Sequence, residues 1–389
     1  MKFVPLSYNT RSLLRRRSAT LLTVLGIAAT VAVLAGVLAL KQGFETLFTE
    51  TGREDLVVFL RPGAMSEGES IISRERAETL IKSTPEIATD SQGRPYAASE
   101  IYLAVRRFKL DGGETNVPIR GVEPMTFTLA GERLRIVEGR NLRPGTDEVI
   151  VGARLTDRIR DCHLDDVIVI NTTPFRVVGT FAYDGPFESE IWGDLERMSD
   201  ALARPAFNRV IARLRPEVSL PEFSKQLEND ERTPAKALSE RDYLTSQKQV
   251  LSVILGVLGT FLATIMGIAA VFTATSTMLA ALAARTREIG ILKAIGFRPF
   301  PIFLSFLFEA TLLGLLGGLV GCLLTLPLSG IETGTTNFQT FTEVAFAFRV
   351  TPNVLLTAVT FSLILGLLGG AWPAWHAARM KPTEAMRRG

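Results

Sequence analysis

Cysteine and histidine are scarce in this sequence. Its 389 residues include two cysteines, Cys162 and Cys322, and two histidines, His163 and His376. A structural zinc site usually needs four ligands, so the adjacent pair Cys162 and His163 predicts no metal centre. The hydropathy pattern places Cys322 inside an apolar block and Cys162 far outside it, and thiols so placed do not approach closely enough to form a disulfide. We therefore expect neither a bound metal nor a disulfide.

The sequence also lacks the phosphate-binding loop G-x-x-x-x-G-K-[ST]. That loop holds nucleotide phosphates with its backbone amides and its lysine, so the chain cannot bind ATP by this means. We predict no catalytic residues and no cofactor bound by this chain. Nucleic acid is not an expected partner, because the basic residues flank apolar blocks and have no aromatic stacking platform among them.

Long apolar runs are what the sequence has in abundance. The first, from Ala19 to Leu40, contains no charged residue, and its roughly 22 residues match a hydrocarbon core of about 30 Å. A cleaved signal peptide is the alternative, but the run exceeds the roughly 7 to 15 apolar residues of such a peptide. The second run is longer than a bilayer needs and should tilt or project beyond it. The four predicted transmembrane helices are residues 19–40, 249–284, 302–328 and 354–375.

Basic residues gather near the ends of these predicted spans. They occupy the stretch before the first span, the connection at 285–301 and the tail at 376–389. Cationic loops tend to remain in the cytoplasm, so the large region at 41–248 is expected outside and both termini inside. The chain is thus expected to be a multi-pass protein of the cell (inner) membrane, in contact with lipid. Residues 1–18 are interpreted as an amphipathic segment, with a disordered basic tail as the alternative.

A mixed α/β domain is predicted for residues 41–248, between the first and second spans. Ser73 and Ser219 resemble the N-caps of two helices. We expect two lobes in this domain, and little regular structure in the loop at 329–353. The fold class is therefore an α-helical membrane protein with four spans and one extracytoplasmic α/β domain. The β-rich runs that support it are Leu56 to Leu60, Ile101 to Val105, Val117 to Val122, Glu148 to Val151, Val167 to Ile170, Phe175 to Thr180 and Arg209 to Leu214.

The connection between the second and third spans carries the most specific motif. It is followed by Glu309-Ala310 and a glycine-rich span. This arrangement closely resembles the permease core of the MacB/FtsX superfamily of ABC transporters, patterned R-x-R-E-I-G-[IV]-L-[KR]-A-[LI]-G and then E-[AG]. The motif reads Arg285-Thr286-Arg287-Glu288-Ile289-Gly290-Ile291-Leu292-Lys293-Ala294-Ile295-Gly296.

The resemblance extends over almost the whole chain. Leu22 to Ile27 is similar to the family's opening L-T-x-L-G-I, and residues 373–386 resemble its closing P-A-x-x-A-A-x-x-x-P-x-E-A-L, with Met386 in place of leucine. Residues 138–140, 148–152 and 175–179 resemble the periplasmic core domain of the family more loosely. The expected fold is therefore a MacB-like periplasmic domain joined to an FtsX-like membrane domain.

The resemblance implies a permease whose ATPase is a separate cytoplasmic ABC subunit, because the phosphate loop is missing here. ATP and Mg are then expected on that partner. A homodimer or paired permease is also implied, and a membrane-fusion adaptor is a candidate partner. The implied function is mechanotransmission, in which ATP-driven motion reaches the outer domain through the second span for efflux or extraction of a substrate. The rival function is an ATPase-coupled scaffold that regulates an extracytoplasmic hydrolase.

We interpret the motif as a short helix that docks in a groove of the ATPase. Ile289, Leu292 and Ile295 fall at helical spacing and would supply an apolar anchor. The alternative is a basic signal that only fixes topology, for which charge alone would suffice. The predicted coupling residues are Arg285, Arg287, Glu288, Ile289, Gly290, Leu292, Lys293 and Gly296.

The third and fourth predicted spans contain small residues at four-residue spacing, together with one carboxylate. Such glycines let helix backbones approach closely, either within the chain or along a homodimer seam. Glu309 lies about two turns into the third span, where a lone carboxylate is costly. We expect it to pair with Arg298 or another helix end, as a packing or coupling element. The predicted packing glycines are Gly314, Gly317, Gly318, Gly321, Gly366 and Gly370.

Overall fold

The computed structural model describes residues 17–49, 52–337 and 342–381. The chain divides into two compact units. Among the described residues, the membrane unit contains 17–43, 254–331 and 347–381, and the outer unit contains 44–49, 52–253, 332–337 and 342–346. The predicted amphipathic segment at 1–18 lies outside the described residues except for positions 17 and 18, and so do the last five positions, 382–386, of the closing motif at 373–386.

The described α-helices include four that are long and apolar enough to cross a membrane: the first, seventh, ninth and tenth. The shorter helices belong to the outer unit, apart from the eighth. The helices are α1 (Arg17–Thr49), α2 (Arg74–Ser83), α3 (Pro124–Ala130), α4 (Ala153–Thr156), α5 (Leu195–Ala201), α6 (Leu220–Glu228), α7 (Glu240–Ala283), α8 (Thr286–Ala294), α9 (Pro299–Thr325) and α10 (Pro352–Arg379).

Helix α7 begins well before the second predicted span, which was placed at 249–284. Its start is fixed by a reciprocal cap, in which the Asp242 amide donates to Ser239 Oγ at 3.0 Å and the same hydroxyl donates to the Asp242 carboxylate at 2.7 Å. This arrangement gives a partner to one of the amide donors that are left open in the first turn of a helix. The polar first turns hide the helix from hydropathy, so the sequence prediction recovered only its apolar part.

Fourteen strands are described, and ten of them form one sheet with the order β12-β1-β11-β3-β4-β9-β6-β8-β5, in which β7 also pairs with β8. The β4–β9 and β6–β8 pairs are parallel and the others are antiparallel. The strands are β1 (Leu56–Leu60), β2 (Ile72–Ser73), β3 (Ala97–Phe108), β4 (Glu114–Val122), β5 (Leu134–Gly139), β6 (Glu148–Gly152), β7 (Val167–Ile170), β8 (Thr173–Tyr183), β9 (Ile191–Asp194), β10 (Ala206–Phe207), β11 (Arg209–Arg213), β12 (Lys236–Ser239), β13 (Glu332–Asn337) and β14 (Thr342–Ala347).

This continuous sheet replaces the two lobes expected from the sequence. Strand β3 is 12 residues long and pairs with β11 at one end and β4 along the rest, so one strand joins both halves of the sheet. Apolar side chains from both halves, such as Val57 and Val149, belong to the same buried cluster. The alternation of helical and β-rich segments along the chain therefore did not mark a domain boundary.

The loop at 329–353 is also more ordered than expected. Strands β13 and β14 pair with each other as a two-stranded sheet that belongs to the outer unit. Val344, Ala345 and Phe346 are buried there. Ala345 N donates to Ser189 Oγ at 3.2 Å, and Ala345 O accepts from Arg154 at 2.8 Å. The polar, threonine-rich composition hid a hairpin that packs on the domain.

Candidate coupling site

Helix α8 is a separate short helix between two of the candidate spans. It is nine residues long, and two residues, Ala284 and Arg285, separate it from the end of α7. Gly296 ends it with a φ of +99°, a left-handed conformation that glycine adopts without steric cost. Gly296 N donates to Lys293 O at 3.0 Å and Phe297 N donates to Leu292 O at 3.1 Å, which satisfies carbonyls left open at the helix end. Gly296 therefore ends α8 through its backbone conformation, and its role as a coupling residue stays a prediction.

One face of α8 is fixed to its own chain. Ile289 is 2% exposed and packs in a cluster with Met278 and Ala377. Lys293 donates through Nζ to the carbonyl of Ala378, at 2.7 Å, and to that of Met380. A cation is favoured there, because the last carbonyls of α10 carry the negative end of the helix dipole. Partial burial lowers the pKa of Lys293.

The opposite face of α8 is exposed. It presents an arginine, a glutamate and two isoleucines, with Ile291 46% and Ile295 68% exposed. Residues three and four apart share one side of a helix, so these side chains form a single surface. We call this surface the outer face of α8; it consists of Arg287, Glu288, Ile291, Ala294 and Ile295.

The structure corrects which apolar residues are available to a partner. Ile289 was predicted as part of the anchor, but it is buried inside this chain, and Leu292 is half-buried. Ile295 is exposed as required, and the residue that joins it is Ile291. The helical spacing of Ile289, Leu292 and Ile295 predicted the anchor, but the sequence alone does not say which apolar side of the helix packs against the spans of its own chain. Gly290 is buried with Ile289.

Glu309 is paired across the membrane unit with the first residue of the predicted coupling motif. Nη1 of Arg285 donates to Oε2 of Glu309 at 3.2 Å, and both side chains are 8% exposed. Of the two kinds of partner considered for Glu309, the structure provides a helix end, since Arg285 is the N-cap of α8. Burial of the two opposite charges together avoids leaving either one unpaired.

The packing glycines lie between helices of the same chain. A Cβ placed on Gly366 would lie 2.7 Å from the carbonyl oxygen of Ala310 and 3.0 Å from Cα of Gly314, so α9 and α10 touch through their backbones. In α9, Gly317 and Gly321 face α1, and Gly318 faces the side chain of Ser362. Gly370 faces Ala310 and Met278. Of the two alternatives for these glycines, the structure therefore provides packing within the chain.

A buried ionic cluster in the outer unit was not found from the sequence. Nε of Arg120 lies 2.7 Å from Glu190, its Nη1 lies 2.8 Å from Glu67, and Arg209 donates to Glu100 at 2.7 Å. None of these five side chains is more than 6% exposed. The available signal was the position of the two arginines within apolar strand sequences. We call these five residues the Arg120 cluster.

The carboxylates of the Arg120 cluster differ in their pKa values. Burial acts to raise the pKa of Glu67, but the positive charges of Arg120 and Arg209 outweigh it and hold that pKa below its usual value. Burial dominates at Glu190, whose pKa is raised despite Arg120. Glu190 is therefore the less well compensated carboxylate.

Cys162 and His163 lie in different environments. Cys162 is completely buried, and burial raises the pKa of its thiol to about 12. His163 is exposed, and its backbone amide donates to Asp166. A thiol with such a raised pKa is a poor nucleophile at neutral pH, which agrees with an interpretation of Cys162 as a packing residue.

The four spans and the inserted α/β domain define a multi-pass membrane protein. Residues 20–230 match the model of the MacB-like periplasmic core domain, and residues 251–382 match that of the FtsX-like permease C-terminal region. The chain belongs to the MacB/FtsX-type family of ABC transporter permeases. Members of this family work with cytoplasmic ABC ATPase partners.

Several curated relatives are similar over nearly the whole chain. The macrolide export ATP-binding/permease protein MacB of Acinetobacter baylyi is 25% identical, over 96% of this chain and 57% of that protein. The MacB 1 protein of Aeromonas hydrophila is 27% identical, over 94% and 57%. The chain thus spans less than two thirds of the length of these relatives. Among solved structures, the periplasmic region of MacB from Actinobacillus actinomycetemcomitans is 12% identical with a TM-score of 0.36, covering 51% of this chain and 92% of that one.

Proposed function

We propose that this chain is the membrane subunit of an ABC transporter and transmits ATP-driven motion of a separate ATPase subunit to its extracytoplasmic domain, so that a substrate is exported or extracted. In this proposal the chain itself is non-catalytic, and ATP and Mg are held by the partner. Both termini and α8 lie in the cytoplasm. The observation that carries the proposal is the division of α8 into one face fixed to its own spans and one exposed face.

The outer face of α8 has the composition expected of a docking surface. Ile291 and Ile295 supply apolar area that is exposed to solvent in a cytoplasmic connection, and Arg287 supplies a charge beside it. Interfaces commonly have such an apolar centre with a polar rim, and arginine is enriched in them. A topology signal would need neither isoleucine, so docking is the better interpretation of this surface.

The opposite face of α8, where Ile289 and Lys293 contact the chain's own spans, supports transmission of motion. Ile289 packs with Met278 of α7 and Ala377 of α10, and Lys293 is bonded to the end of α10. A force on the exposed face therefore reaches two spans directly. Helix α7 is unbroken for 44 residues, which corresponds to about 66 Å at 1.5 Å per residue. Such a helix suits a rigid lever.

The β13–β14 hairpin supports a second route for the transmission of motion to the outer domain. It continues directly from the third span and into the fourth along the chain, yet it is held by the outer domain. Nζ of Lys109 lies 2.7 Å from Glu343, and Arg158 also pairs with that carboxylate. In the proposal, motion of the two spans passes along the chain to the hairpin and through Glu343 to the outer domain.

The remaining partners are part of the same proposal. Family resemblance supports a homodimer or a pair of related permeases, and a membrane-fusion adaptor on the outer side. The packing glycines do not supply the seam of such a pair, since they are used inside the chain. Exposed apolar residues of α7, such as Phe261 and Phe272, remain available to lipid or to a second permease.

Affinity purification of the tagged chain from native membranes tests the proposal. The wild-type chain should recover an ABC ATPase. Ile291→Asp and Ile295→Asp should each lose it, because a charge would be placed in the apolar centre of the interface. Ile71→Asp is the matched control, since Ile71 is 60% exposed but lies in the outer unit.

The outcomes separate the candidate functions. Recovery of an ATPase that depends on Ile291 and Ile295 supports the proposal. Recovery of no ATPase by the wild-type chain would overturn it. Recovery of an extracytoplasmic hydrolase with the ATPase would favour the scaffold function instead of export. Equal recovery by all three variants would remove the outer face of α8 as the docking surface.

A further inference from the structure

A pocket of the outer unit lies directly beside the Arg120 cluster. Its cavity volume is about 40 Å³, and it opens to solvent. A water needs roughly 10–15 Å³ of such volume, so the pocket admits a few water-sized groups, as in a short alkyl chain with a polar head. Four of its lining residues are aromatic, and two carboxylates of the Arg120 cluster, Glu67 and Glu190, reach it. We call it the aromatic pocket; its aromatic walls are Phe48, Tyr102, Phe187 and Tyr243.

Gln247 supplies a polar group that has no partner in this pocket. Its side chain is 4% exposed, and its Nε2 donates to Met65 O at 3.0 Å, which fixes the orientation of the amide. Its Oε1 is buried and, among the described residues, has no hydrogen-bond partner. A buried acceptor of this kind costs free energy unless a donor reaches it. Since Gln247 lines the pocket, a donor bound there would supply the partner that Oε1 lacks.

The charge of the Arg120 cluster points to the same kind of ligand. Three carboxylates against two guanidinium groups leave one formal negative charge in a fully buried site. Glu190, which lines the pocket, is the carboxylate whose pKa is raised by burial. A cation placed in the pocket would compensate this charge. Aromatic faces also attract cations. The rings of Tyr102 and Phe187 already lie against Arg120, so Phe48 and Tyr243 are the aromatic walls left for a bound cation.

A metal ion fits this site poorly. The carboxylate oxygens of Glu67 and Glu190 are already committed to Arg120 at 2.7 to 2.8 Å. Among the described residues, no group of histidine, cysteine, aspartate and glutamate has an arrangement that could hold a metal. An anion fits poorly as well, because the pocket presents acceptors and carboxylates. Arg209 has an unpartnered Nη1, but it does not line the pocket.

We propose that the aromatic pocket binds a small organic ammonium ion that carries an apolar substituent. The ammonium group donates to Oε1 of Gln247 and lies near Glu190, and the substituent packs against the aromatic walls. This site is independent of ATPase coupling, since it is formed by residues of the outer unit alone. The same chemistry is offered by a free alkylamine and by the headgroup of an aminophospholipid.

Titration of the full-length protein in nanodiscs with n-butylammonium chloride tests the site. Binding is followed by the fluorescence of Trp192, whose Nε1 donates to Glu190 at 2.7 Å, and by calorimetry. Saturable binding of n-butylammonium is expected, with none for sodium and at least tenfold weaker binding for n-butanol, which has similar size but no charge. The absence of saturable n-butylammonium binding by the wild-type protein would overturn the proposal.

Gln247→Leu should weaken n-butylammonium binding about tenfold, because it removes the acceptor while keeping the apolar volume. Gln226→Leu is the matched control, since Gln226 is exposed on α6. Equal affinity of the two variants would contradict the assigned role of Gln247. Repeating the titration with phosphatidylethanolamine in the nanodiscs identifies the source. Competition would assign the site to a lipid headgroup, and its absence would assign it to a soluble amine.

Discussion

Arg285 and Glu309 form a buried ion pair between the start of α8 and the third candidate span, with 3.2 Å between Nη1 and Oε2. This pair joins the residue that opens the coupling motif to the carboxylate that was expected to pair with Arg298 or another helix end. Removal of one member leaves an uncompensated charge, which typically costs about 3–5 kcal/mol, whereas replacement of both by apolar residues is often close to neutral. The pair therefore fixes the N-terminal end of α8 to the third candidate span.

Glu309→Ala and Arg285→Ala should each destabilise the protein strongly, and the double variant Arg285→Met/Glu309→Leu should recover most of the loss. The measurement is thermal unfolding of the detergent-solubilised protein. A double variant as unstable as either single variant would show that the two residues stabilise the protein independently.

Gly366→Ala should weaken the packing of α9 against α10, because the added methyl would meet the backbone of Ala310 and Gly314. Overpacking of this kind typically costs about 1–3 kcal/mol. Gly26→Ala is the control, since nothing lies within 4 Å of a Cβ at that position. Thermal unfolding in detergent compares the two. Equal stability of both variants would contradict the close approach of α9 and α10.

Glu343→Gln should loosen the β13–β14 hairpin, because the carboxylate that Lys109 and Arg158 share would lose its charge. We expect faster proteolysis within the hairpin and, in the assembled transporter, reduced export with ATP hydrolysis retained. Glu332→Gln, on the exposed end of the other strand, is the matched control. Unchanged export by Glu343→Gln would remove the hairpin from the proposed route.

Glu123 should make the outer domain less stable as pH rises. Burial, with the charges of Glu100 and Glu196, raises the pKa of Glu123 from 4.5 to about 7, although Ser99 donates a backbone hydrogen bond to it. The folded state therefore binds more protons than the unfolded state between these pH values, and stability falls across that window. Glu123→Gln should be more stable than wild type at pH 8 and similar to it near pH 4.5.

Thermal unfolding across pH 4.5 to 8 measures this effect. Glu132→Gln should retain the wild-type profile, since Glu132 is exposed. A Glu123→Gln variant whose advantage does not grow with pH would show that Glu123 does not titrate in this range.

Cys162 should resist thiol reagents in the folded protein. Its side chain is fully buried and its pKa is raised to about 12, so both access and thiolate formation are suppressed. Maleimide labelling of a Cys322→Ala variant, before and after denaturation in detergent, measures it. Rapid labelling of the native protein would contradict the burial of Cys162.

The sequence predicted those helices and strands whose hydropathy or spacing of apolar residues is distinctive. The four apolar blocks were predicted because their length and hydropathy are distinctive. Strands such as Leu56–Leu60 were predicted because their residues form a short, continuous run of buried apolar side chains. Strands β13 and β14 were missed because threonine, glycine and glutamate give little hydrophobic contrast. The start of α7 was missed because its Ser239 and Asp242 cap is polar.

The candidate site was predicted only in part, because the orientation of its side chains depends on contacts that are distant along the chain. The motif at 285–296 located the connection, but the orientation of α8 depends on contacts between Ile289 and residues about ten and ninety positions away, such as Met278 and Ala377. No local pattern contains that information. The Arg120 cluster likewise joins five strands and turns that are distant along the chain, so only the two arginines in apolar strands hinted at it.

The two faces of α8 have different consequences for how this helix can change over time. A substitution at Ile289 or Lys293 disturbs the chain that carries it, whatever motor is present. Under the proposed function, a substitution at Ile291 or Ile295 leaves this packing intact and alters only the surface offered to an ATPase. On that proposal, one nine-residue helix can keep its contacts in the membrane unit while its exposed face changes together with the surface of a cognate ATPase. Exchange of the exposed face between two such permeases should then exchange their ATPase partners.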